Sequence, residues 1–325
     1  MDLKSKIILI AGPTASGKSN FALKLSKKVR GEIINADSMQ VYKQLDILTA
    51  RPKKKDLKKI KHHLYGFCDV RKNYSTGEWL KLLLKKIKEI QKRKKVPIVV
   101  GGTGLYFKAL TDGLVKIPNI PTIVRNKIRL MQKKLGQKKF YNKLLKLDPL
   151  IENIIEKNDV QRSIRAYEIK DYTKISIINW FKKTKKYISS DKFIKIYIDF
   201  QREELLKRIN LRVERMFIDG AINEVRGFNK LKVKKENSAN KVIGIKEITN
   251  FLNKQCSLDQ TKELIAIKTR QYAKRQATWA RGQMGSWQKI NPKNLGLALK
   301  KIKIITSKTW PISTTSARLA KCQNC

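Results

Sequence analysis

The sequence is poor in cysteine and in acidic residues and has no long apolar run, and each shortage excludes a class of protein. Four cysteines in 325 residues are too few for the disulfide framework of a small secreted domain. No apolar run approaches the ~18 residues of a membrane-spanning helix. The apolar run at residues 7–11 is too short for a secretory signal, and no cleavage site follows it. We therefore predict a soluble, reduced, cytoplasmic protein without a membrane partner.

Basic residues greatly outnumber acidic ones: Lys+Arg is 74 and Asp+Glu is 26, so the formal net charge is +48. This excess favours a polyanionic partner, and a nucleic acid before an anionic membrane surface. A solvated lysine-rich surface without a ligand would give the same composition, so the charge alone does not identify a partner. Hydrophobic residues make up 41% of the chain, which is enough for a core. The length predicts about two domains.

Short apolar runs alternate with helical periodicity in the first third of the chain. Residues 7–10, 32–36 and 97–100 are predicted to be buried parallel strands. Helices are predicted over residues 21–29, after the loop that follows the first strand, and over residues 78–92. This alternation predicts an α/β fold with a parallel sheet.

The pattern changes at the proline-containing stretch 117–121, and residues 122–186 are lysine-rich with apolar residues mainly at helical spacing. A strand pattern at 193–200 then returns the chain to the sheet, and a long helix is predicted over 262–281. The sequence thus predicts four segments. They are the first part of the core (1–116), a helical insertion (117–187), the second part of the core (188–285) and a C-terminal tail (286–325).

Residues 12–19 read GPTASGKS and match the phosphate-binding pattern G-x-x-x-x-G-K-[ST], between a predicted strand and a predicted helix. The loop amides and the helix N-terminus attract phosphate, Lys18 adds a positive charge, and the Ser19 hydroxyl suits Mg²⁺. The predicted phosphate-binding residues are Gly12, Pro13, Thr14, Ala15, Ser16, Gly17, Lys18 and Ser19. By itself this P-loop predicts a nucleoside triphosphate ligand such as ATP.

Polar residues follow the next two predicted strands. Asp37 comes after the second strand, and Thr103 comes after the third strand and the Gly101-Gly102 turn. Groups at the carboxyl ends of parallel strands face the ligand crevice of such a sheet. Asp37 is therefore a candidate general base, with the N-cap of a following helix as the alternative. The glycine turn either permits close approach of a ligand or serves the fold alone.

Seven stretches of the sequence together resemble the tRNA dimethylallyltransferases, a family that prenylates the adenine immediately 3′ of some anticodons. They are GPTASGKS (12–19), DSMQVYK (37–43), TARP (49–52), HHL (62–64), VVGGTGLYFKAL (99–110), DVQRSIRAYEI (159–169) and TRQYAKRQATWAR (269–281). They occur in the family's order and extend over about residues 5–285. The resemblance implies an α/β fold, with a P-loop NTPase-like parallel sheet core and a tRNA-binding helical insertion.

The resemblance also implies a reaction. A dimethylallyl group would pass from dimethylallyl diphosphate to adenine N6, and diphosphate would be released with Mg²⁺ as cofactor, held at Ser19. Adenine N6 is a poor nucleophile, and a carboxylate that takes its proton as the bond forms would help. The implied catalytic residues are Thr14, Lys18, Asp37 and Arg212. Arg212 also shares a helix face with Arg208 and Arg215, so a solvated basic stripe is its alternative.

Contacts with the anticodon stem-loop of tRNA are implied in the same way. The implied tRNA-binding residues are Asp37, Ser38, Met39, Gln40, Thr103, Arg125, Gln161, Arg162, Ser163, Ile164 and Arg165, with a segment near 242–247. An adenine held in a stem-loop must be extruded before its N6 can react, and a polar channel around Asp37 suits that step. On the last helix Arg270, Lys274 and Arg281 share one face, either for phosphate contacts or for solvent. We expect the protein to act as a monomer.

Three rival functions stay open. The P-loop alone would suit a small-metabolite or nucleoside kinase, which transfers the γ-phosphate of a nucleotide. Prenylation of a free adenine nucleotide would need no RNA-binding surface. A non-enzymatic RNA-binding protein with an inactive P-loop would keep its RNA affinity whether or not a prenyl diphosphate is present.

Some residues that suggest chemistry are predicted to lie outside the site. The adjacent His62 and His63 are expected to pack or hydrogen-bond and not to bind a metal. Asp69 is expected on a surface turn, so no acid of the Walker B type is identified, and diphosphate chemistry does not require one. The C-x-x-C of Cys322 and Cys325 has no second pair and is weak evidence for zinc.

Overall fold

The computed structural model describes residues 5–291, without the side chains of residues 54 and 55. These residues form one six-stranded sheet with the order β3-β2-β4-β1-β5-β6. The strands are β1 (Ile7–Ala11), β2 (Gly31–Asn35), β3 (His62–His63), β4 (Val96–Gly101), β5 (Phe193–Ile198) and β6 (Gln288–Ile290). All five pairings are parallel, which confirms the predicted α/β class. The short strands β3 and β6 were not predicted, because neither forms an apolar run.

Eleven α-helices lie within the described residues. They are α1 (Lys18–Val29), α2 (Lys54–Lys59), α3 (Thr76–Lys92), α4 (Gly104–Thr111), α5 (Thr122–Leu147), α6 (Val160–Thr173), α7 (Ile177–Lys182), α8 (Arg202–Ile218), α9 (Ala221–Lys230), α10 (Ile245–Leu252) and α11 (Leu258–Gln283). Short 3₁₀ turns occur at Pro149–Ile151, Ser190–Lys192 and Ser238–Lys241. No helix among residues 5–291 is long and apolar enough to span a membrane.

The centre of the sheet is apolar because it is buried by helices. Phe21 and Leu25 of α1 pack with Ile8 and Ile10 of β1, and all four side chains are at most 1% exposed. On α3 the fully buried Trp79 donates a hydrogen bond from Nε1 to the carbonyl of Asn35, at 2.9 Å. This bond fixes the carboxyl end of β2, from which the chain enters the candidate site.

A second core joins α8, α9, α10 and α11 to the long segment after β2. Tyr42 and Leu45 of that segment are buried against Val225 and Ile248 of the helices. The carboxylate of Glu224 in α9 accepts the N–H groups of residues 46, 47 and 48 at 2.6, 2.8 and 2.9 Å. The helices therefore hold in place a segment that has little regular structure of its own.

The chain divides into two compact units, and residues 109–188 form one of them. That unit contains α5, α6 and α7 around a core that includes Phe140, Leu144 and Ile169. Helix α5 is interrupted at Gly136, which has a non-helical φ of 70°. The insertion predicted from the sequence was 117–187. The predicted tail begins inside the described region and includes β6, whereas Cys322 and Cys325 lie outside the described residues.

Candidate active site

A cavity of about 760 Å³ lies beside the P-loop, in the larger unit. The P-loop, the segment after β2 and the turn after β4 supply its polar wall, so the carboxyl ends of β1, β2 and β4 meet there. Its apolar wall includes Leu48, Val213, Met216, Val242, Ile243 and Ile265. The cavity thus combines phosphate-binding groups with a surface that suits a small hydrocarbon group.

The P-loop closes on itself through Lys18, whose Nζ donates a hydrogen bond of 3.2 Å to the carbonyl of Pro13. Ala15 and Gly17 both have positive φ, at 62° and 84°, as the tight loop requires. Burial lowers the pKa of Lys18 to about 8; the charge of Asp37 opposes this shift and that of Arg212 adds to it. An anion in the loop would favour the charged form of Lys18.

Arg212 projects from α8 into the P-loop. Its Nη1 donates a hydrogen bond of 2.8 Å to Oγ1 of Thr14. Arg212 is half-buried, and burial lowers its pKa while Asp37 opposes that shift. The solvated-stripe alternative is wrong for Arg212 and holds for Arg215, whose side chain is 73% exposed. Arg208 instead lies over the ring of Phe200, at 4.3 Å.

Asp37 lines the cavity and is held by Asn35, the last residue of β2. Asn35 Oδ1 accepts the N–H of Asp37 at 2.8 Å, and Asn35 Nδ2 donates to its carbonyl at 2.9 Å. Asp37 Oδ1 accepts the N–H of Met39 at 2.9 Å, while Oδ2 accepts no hydrogen bond from the described residues. The helix N-cap alternative is wrong, because turns and not a helix follow Asp37.

The neighbours of Asp37 also line the cavity, together with Thr103. The N–H of Ser38 donates to Thr103 Oγ1 at 2.9 Å, which ties the ends of β2 and β4 together. The amide of Gln40 donates to the carbonyls of Thr49 and Ala50, at 2.9 and 3.3 Å. The Gln40 amide nitrogen thus stabilises the turn at Thr49 and Ala50. Ser38 and Thr103 present hydroxyls at the cavity wall.

Helix α11 contributes a face of the cavity that sequence reasoning missed. Its lining residues are Ile265, Thr269, Tyr272, Arg275, Gln276 and Trp279. Five of them recur at intervals of three and four residues, which places them on one helical face. The signal lies inside the stretch TRQYAKRQATWAR, where Tyr272, Gln276 and Trp279 stand among the basic residues of the predicted basic face. Within that predicted basic face, Lys274 and Arg281 are exposed.

Gln276 joins two walls of the site. Its Oε1 accepts the N–H of Thr14 at 2.8 Å, and its Nε2 donates to the carbonyl of Gly102 at 2.9 Å. A Cβ on Gly102 would overlap Gln276, and one on Gly104 would overlap the ring of Trp279. The glycines after β4 are therefore needed for the approach of α11, in addition to any role with a ligand.

Arg125 and the predicted tRNA-binding residues 161–165 lie in the second unit, whereas Val242 and Ile243 of the predicted segment near 242–247 line the cavity. Gln161 is exposed, and Arg162 is 70% exposed and paired with Asp159 at 2.8 Å. Ile164 is half-buried. Ser163 is fully buried and its Oγ accepts a hydrogen bond from Gln137, at 3.2 Å, so a direct tRNA contact through this side chain is not supported. Arg125 and Arg165 are partly exposed beside the buried Glu168.

The histidines and Asp69 take no part in lining the cavity. His62 Nδ1 lies 2.7 Å from the carbonyl of Ile60, and His63 Nε2 lies 2.7 Å from Glu32 Oε2, as hydrogen-bonding histidines would. Asp69 lies in a turn, where its Oδ1 accepts a hydrogen bond of 2.8 Å from the Arg71 guanidinium. Within residues 5–291, no group of three or more His, Cys, Asp or Glu is arranged for a metal.

The fold and the site define a P-loop α/β protein whose loop opens on a part-apolar cavity with a carboxylate at its wall. A family model described as IPP transferase matches residues 40–283. The chain belongs to this family, which confirms the resemblance inferred from its motifs.

Relatives in the family align over most of this chain. It is 63% identical over 303 residues to a tRNA dimethylallyltransferase of Pelagibacter ubique, covering 93% of this chain and 97% of that protein. It is 43% identical to the tRNA dimethylallyltransferase of Rickettsia massiliae, covering 86% and 78% of the two chains.

Solved structures of tRNA-modifying transferases are also similar to this chain. A eukaryotic dimethylallyltransferase acting on tRNA superposes with a TM-score of 0.80 at 28% identity, covering 95% of this chain and 81% of that one. A full-length tRNA isopentenylpyrophosphate transferase of Bacillus halodurans gives a TM-score of 0.67 at 28% identity, with 94% and 97% covered.

Proposed function

We propose that this protein transfers the dimethylallyl group of dimethylallyl diphosphate to N6 of the adenine immediately 3′ of a tRNA anticodon. The products are N6-dimethylallyladenosine and diphosphate. The observation that carries the proposal is the meeting of Thr14, Lys18 and Arg212 with Asp37 around one cavity. The phosphate-binding groups and the acceptor for a proton thus lie on neighbouring walls of the same space.

The P-loop holds the diphosphate in this proposal. Breaking the bond between C1 and its oxygen leaves allylic cation character on C1 and extra negative charge on the departing diphosphate. The loop amides, Lys18 and Arg212 supply fixed positive charge for it. Because Arg212 is already bonded to Thr14, little rearrangement is needed as that charge develops. The apolar wall, which includes Met216 and Ile265, suits the dimethylallyl group.

Asp37 acts as the general base. N6 of adenine forms the new bond to C1, and Asp37 takes the proton that N6 loses. Asn35 fixes the backbone of Asp37 from both sides, while Oδ2 has no competing hydrogen bond among the described residues. The base is thereby held in place with one oxygen available.

Mg²⁺ fits the donor set of this site. Mg²⁺ commonly keeps several waters and takes only one or two protein ligands besides phosphate oxygens. Ser19 at the start of α1 lines the cavity and offers one hydroxyl ligand. Bound there with the diphosphate, Mg²⁺ would neutralise part of its charge.

The tRNA reaches the site with its target base extruded. Ser38, Gln40 and Thr103 at the cavity wall are proposed to contact the flipped adenine and its neighbours, with Met39 and Asp37. Arg125, Gln161, Arg162 and Arg165 are proposed to bind the anticodon stem-loop, through side chains that are at least partly exposed. We further propose that the protein acts as a monomer in the cytoplasm, where its tRNA substrate is found.

A kinase is the second candidate, and the P-loop is the observation in its favour. The relatives argue for the prenyl transferase instead, because proteins 63% and 43% identical to this chain are tRNA dimethylallyltransferases. The two candidates differ in whether a nucleotide is consumed.

One incubation separates them: purified protein, Mg²⁺, unmodified tRNA and dimethylallyl diphosphate, without ATP. Mass spectrometry of the nucleosides should show adenosine heavier by one dimethylallyl group. A parallel reaction with isopentenyl diphosphate tests the choice of donor. No prenylated adenosine from a mixed tRNA pool, with ATP turnover in a separate reaction, would favour the kinase.

A further inference from the structure

Glu168 is a buried carboxylate in the helical unit, surrounded by arginines. It lies on α6 and is 2% exposed. Arg165 Nη1 on the same helix donates to Glu168 Oε2 at 3.2 Å. Arg125 Nε lies 3.6 Å from Oε2, and Arg129 Nε lies 3.6 Å from Oε1. Two helices thus bring three guanidinium groups to one carboxylate.

The side chains of the three arginines stay partly exposed to solvent, and Glu168 uses few of their hydrogen-bond donors. The side chains of Arg125, Arg129 and Arg165 are 42%, 46% and 42% exposed. Each guanidinium carries five N–H donors, and the carboxylate has room for few of them. Glu168 is thus hydrogen-bonded to Arg165 and within ion-pair distance of Arg125 and Arg129, and all three arginine side chains stay partly exposed.

The charges do not balance within this cluster. Three guanidinium groups carry three positive charges against the single negative charge of Glu168. Among the described residues only Arg165 hydrogen-bonds Glu168; at 3.6 Å the contacts of Arg125 and Arg129 are ion pairs, and Glu168 Oε1 has no hydrogen-bond partner. The surplus of charge and of outward donors suits a ligand with several phosphates.

We propose that Glu168 is a positioning residue that arranges Arg125, Arg129 and Arg165 into one phosphate-binding surface for the tRNA, and that Arg129 is a further tRNA-contacting residue. This rests on the proposed function, which supplies tRNA as the phosphate-bearing ligand. Arg125 and Arg165 belong to the contacts proposed above. Glu168 gives them, with Arg129, a common fixed geometry.

The Glu168→Gln variant tests the positioning role by the sign of its effect. Removing a negative charge from a basic surface should by simple electrostatics strengthen tRNA binding. Loss of positioning predicts weaker binding, with Kd for tRNA roughly fivefold to tenfold higher at low salt. Turnover at saturating tRNA should stay close to normal, so the change appears in KM and not in kcat. Unchanged or tighter tRNA binding would overturn the proposal.

Glu32→Gln is the matched control for loss of a buried carboxylate. Glu32 is 1% exposed in β2 and is also surrounded by three basic side chains, Arg93, Lys95 and His63. We expect E32Q to lower thermal stability without raising Kd for tRNA. An equal rise in Kd for both variants would assign the effect to general destabilisation and would contradict a specific role for Glu168.

Arg129→Gln against Lys127→Gln tests the new contact and keeps the proposal testable if E168Q does not fold. Both residues are exposed on α5 and carry the same charge. Two positions apart on a helix, they point to opposite sides. R129Q should weaken tRNA binding and lower the slope of log Kd against log salt by about one, with K127Q near wild type. Equal effects would show a diffuse charge effect and refute the contact.

Wild-type turnover is measured separately. If wild type binds tRNA but does not prenylate it, the proposed reaction fails while the ordering of the Kd values still decides the role of Glu168.

Discussion

Arg212 Nη1 and Thr14 Oγ1 are joined by a hydrogen bond of 2.8 Å across 198 residues of the chain. The bond links α8 to the P-loop and keeps the half-buried Arg212 at the place where a phosphate-binding loop needs positive charge. Burial lowers the pKa of Arg212, which means that its charge is held at a desolvation cost. Such a cost is expected at a site that binds an anion, and it is hard to explain on a solvated basic stripe.

Arg212→Gln should therefore reduce kcat/KM by roughly 10²–10³-fold, because a preorganised donor to the leaving diphosphate is lost. Steady-state prenylation of tRNA measures this. Arg215→Gln is the matched control, since Arg215 lies on the same helix and is exposed. Similar losses in both variants would show that Arg212 acts through bulk charge.

Asp37→Asn should lower turnover by about 10²–10⁴-fold, since the amide cannot take the N6 proton. Binding of tRNA and of the prenyl diphosphate should remain close to wild type, as measured by filter binding and calorimetry. Asp69→Asn makes the same exchange at a surface turn outside the cavity and should leave turnover unchanged. Near-normal kcat in D37N would exclude Asp37 as the base.

Gln276→Leu should raise KM for dimethylallyl diphosphate by roughly tenfold. The change removes the acceptor of the Thr14 N–H and the donor to Gly102, and a buried unpaired group costs about 1–3 kcal/mol. Gln283→Leu, on the exposed end of α11, is the control. If only KM for tRNA rises, Gln276 contributes to binding of the tRNA and not to the diphosphate-binding P-loop.

Lys18 should take up a proton when diphosphate binds at mildly alkaline pH. Its pKa near 8 leaves it mostly neutral in the free protein at pH 9, and a bound anion raises that pKa. Uptake should be small at pH 7, where Lys18 is already charged, and should grow between pH 8 and 9. Calorimetry in buffers of different ionisation enthalpy measures the proton uptake. Equal uptake at pH 7 and pH 9 would contradict its assignment to Lys18.

Glu32 should make stability depend on acid pH. Burial by itself would raise its pKa, but hydrogen bonds from Arg93, His63 and Lys95 lower it to about 2. A depressed carboxyl pKa stabilises the folded state above the ordinary value of 4.5, and this stability is lost as the pH falls toward 2. Glu32→Gln should therefore cost roughly 2–3 kcal/mol at pH 7 and much less near pH 2. Denaturant unfolding between pH 2 and pH 7 measures this difference. If the difference in unfolding free energy between wild type and Glu32→Gln did not depend on pH, the prediction would be contradicted.

Features that depend on residues adjacent in the chain could be predicted from the sequence. The P-loop is a contiguous pattern, and β1, β2 and β4 are apolar runs because helices bury them. The position of Asp37 at the cavity is predictable because parallel strands end at the same edge of a sheet. Strand β6 has three residues and depends on its pairing with β5, so no local pattern could indicate it.

The tertiary structure alone decided which charged and polar side chains enter the cavity. Arg212 and Arg215 are equivalent in local pattern, yet Arg212 is half-buried and bonded to the P-loop while Arg215 is exposed. In the sequence nothing distinguishes Gln276 from other polar residues; its role depends on the packing of α11, which places it between Thr14 and Gly102. Ser163 lies among predicted tRNA contacts and is fully buried between helices. A contiguous motif fixes its own backbone geometry, whereas the burial of a single helical side chain depends on what packs against it.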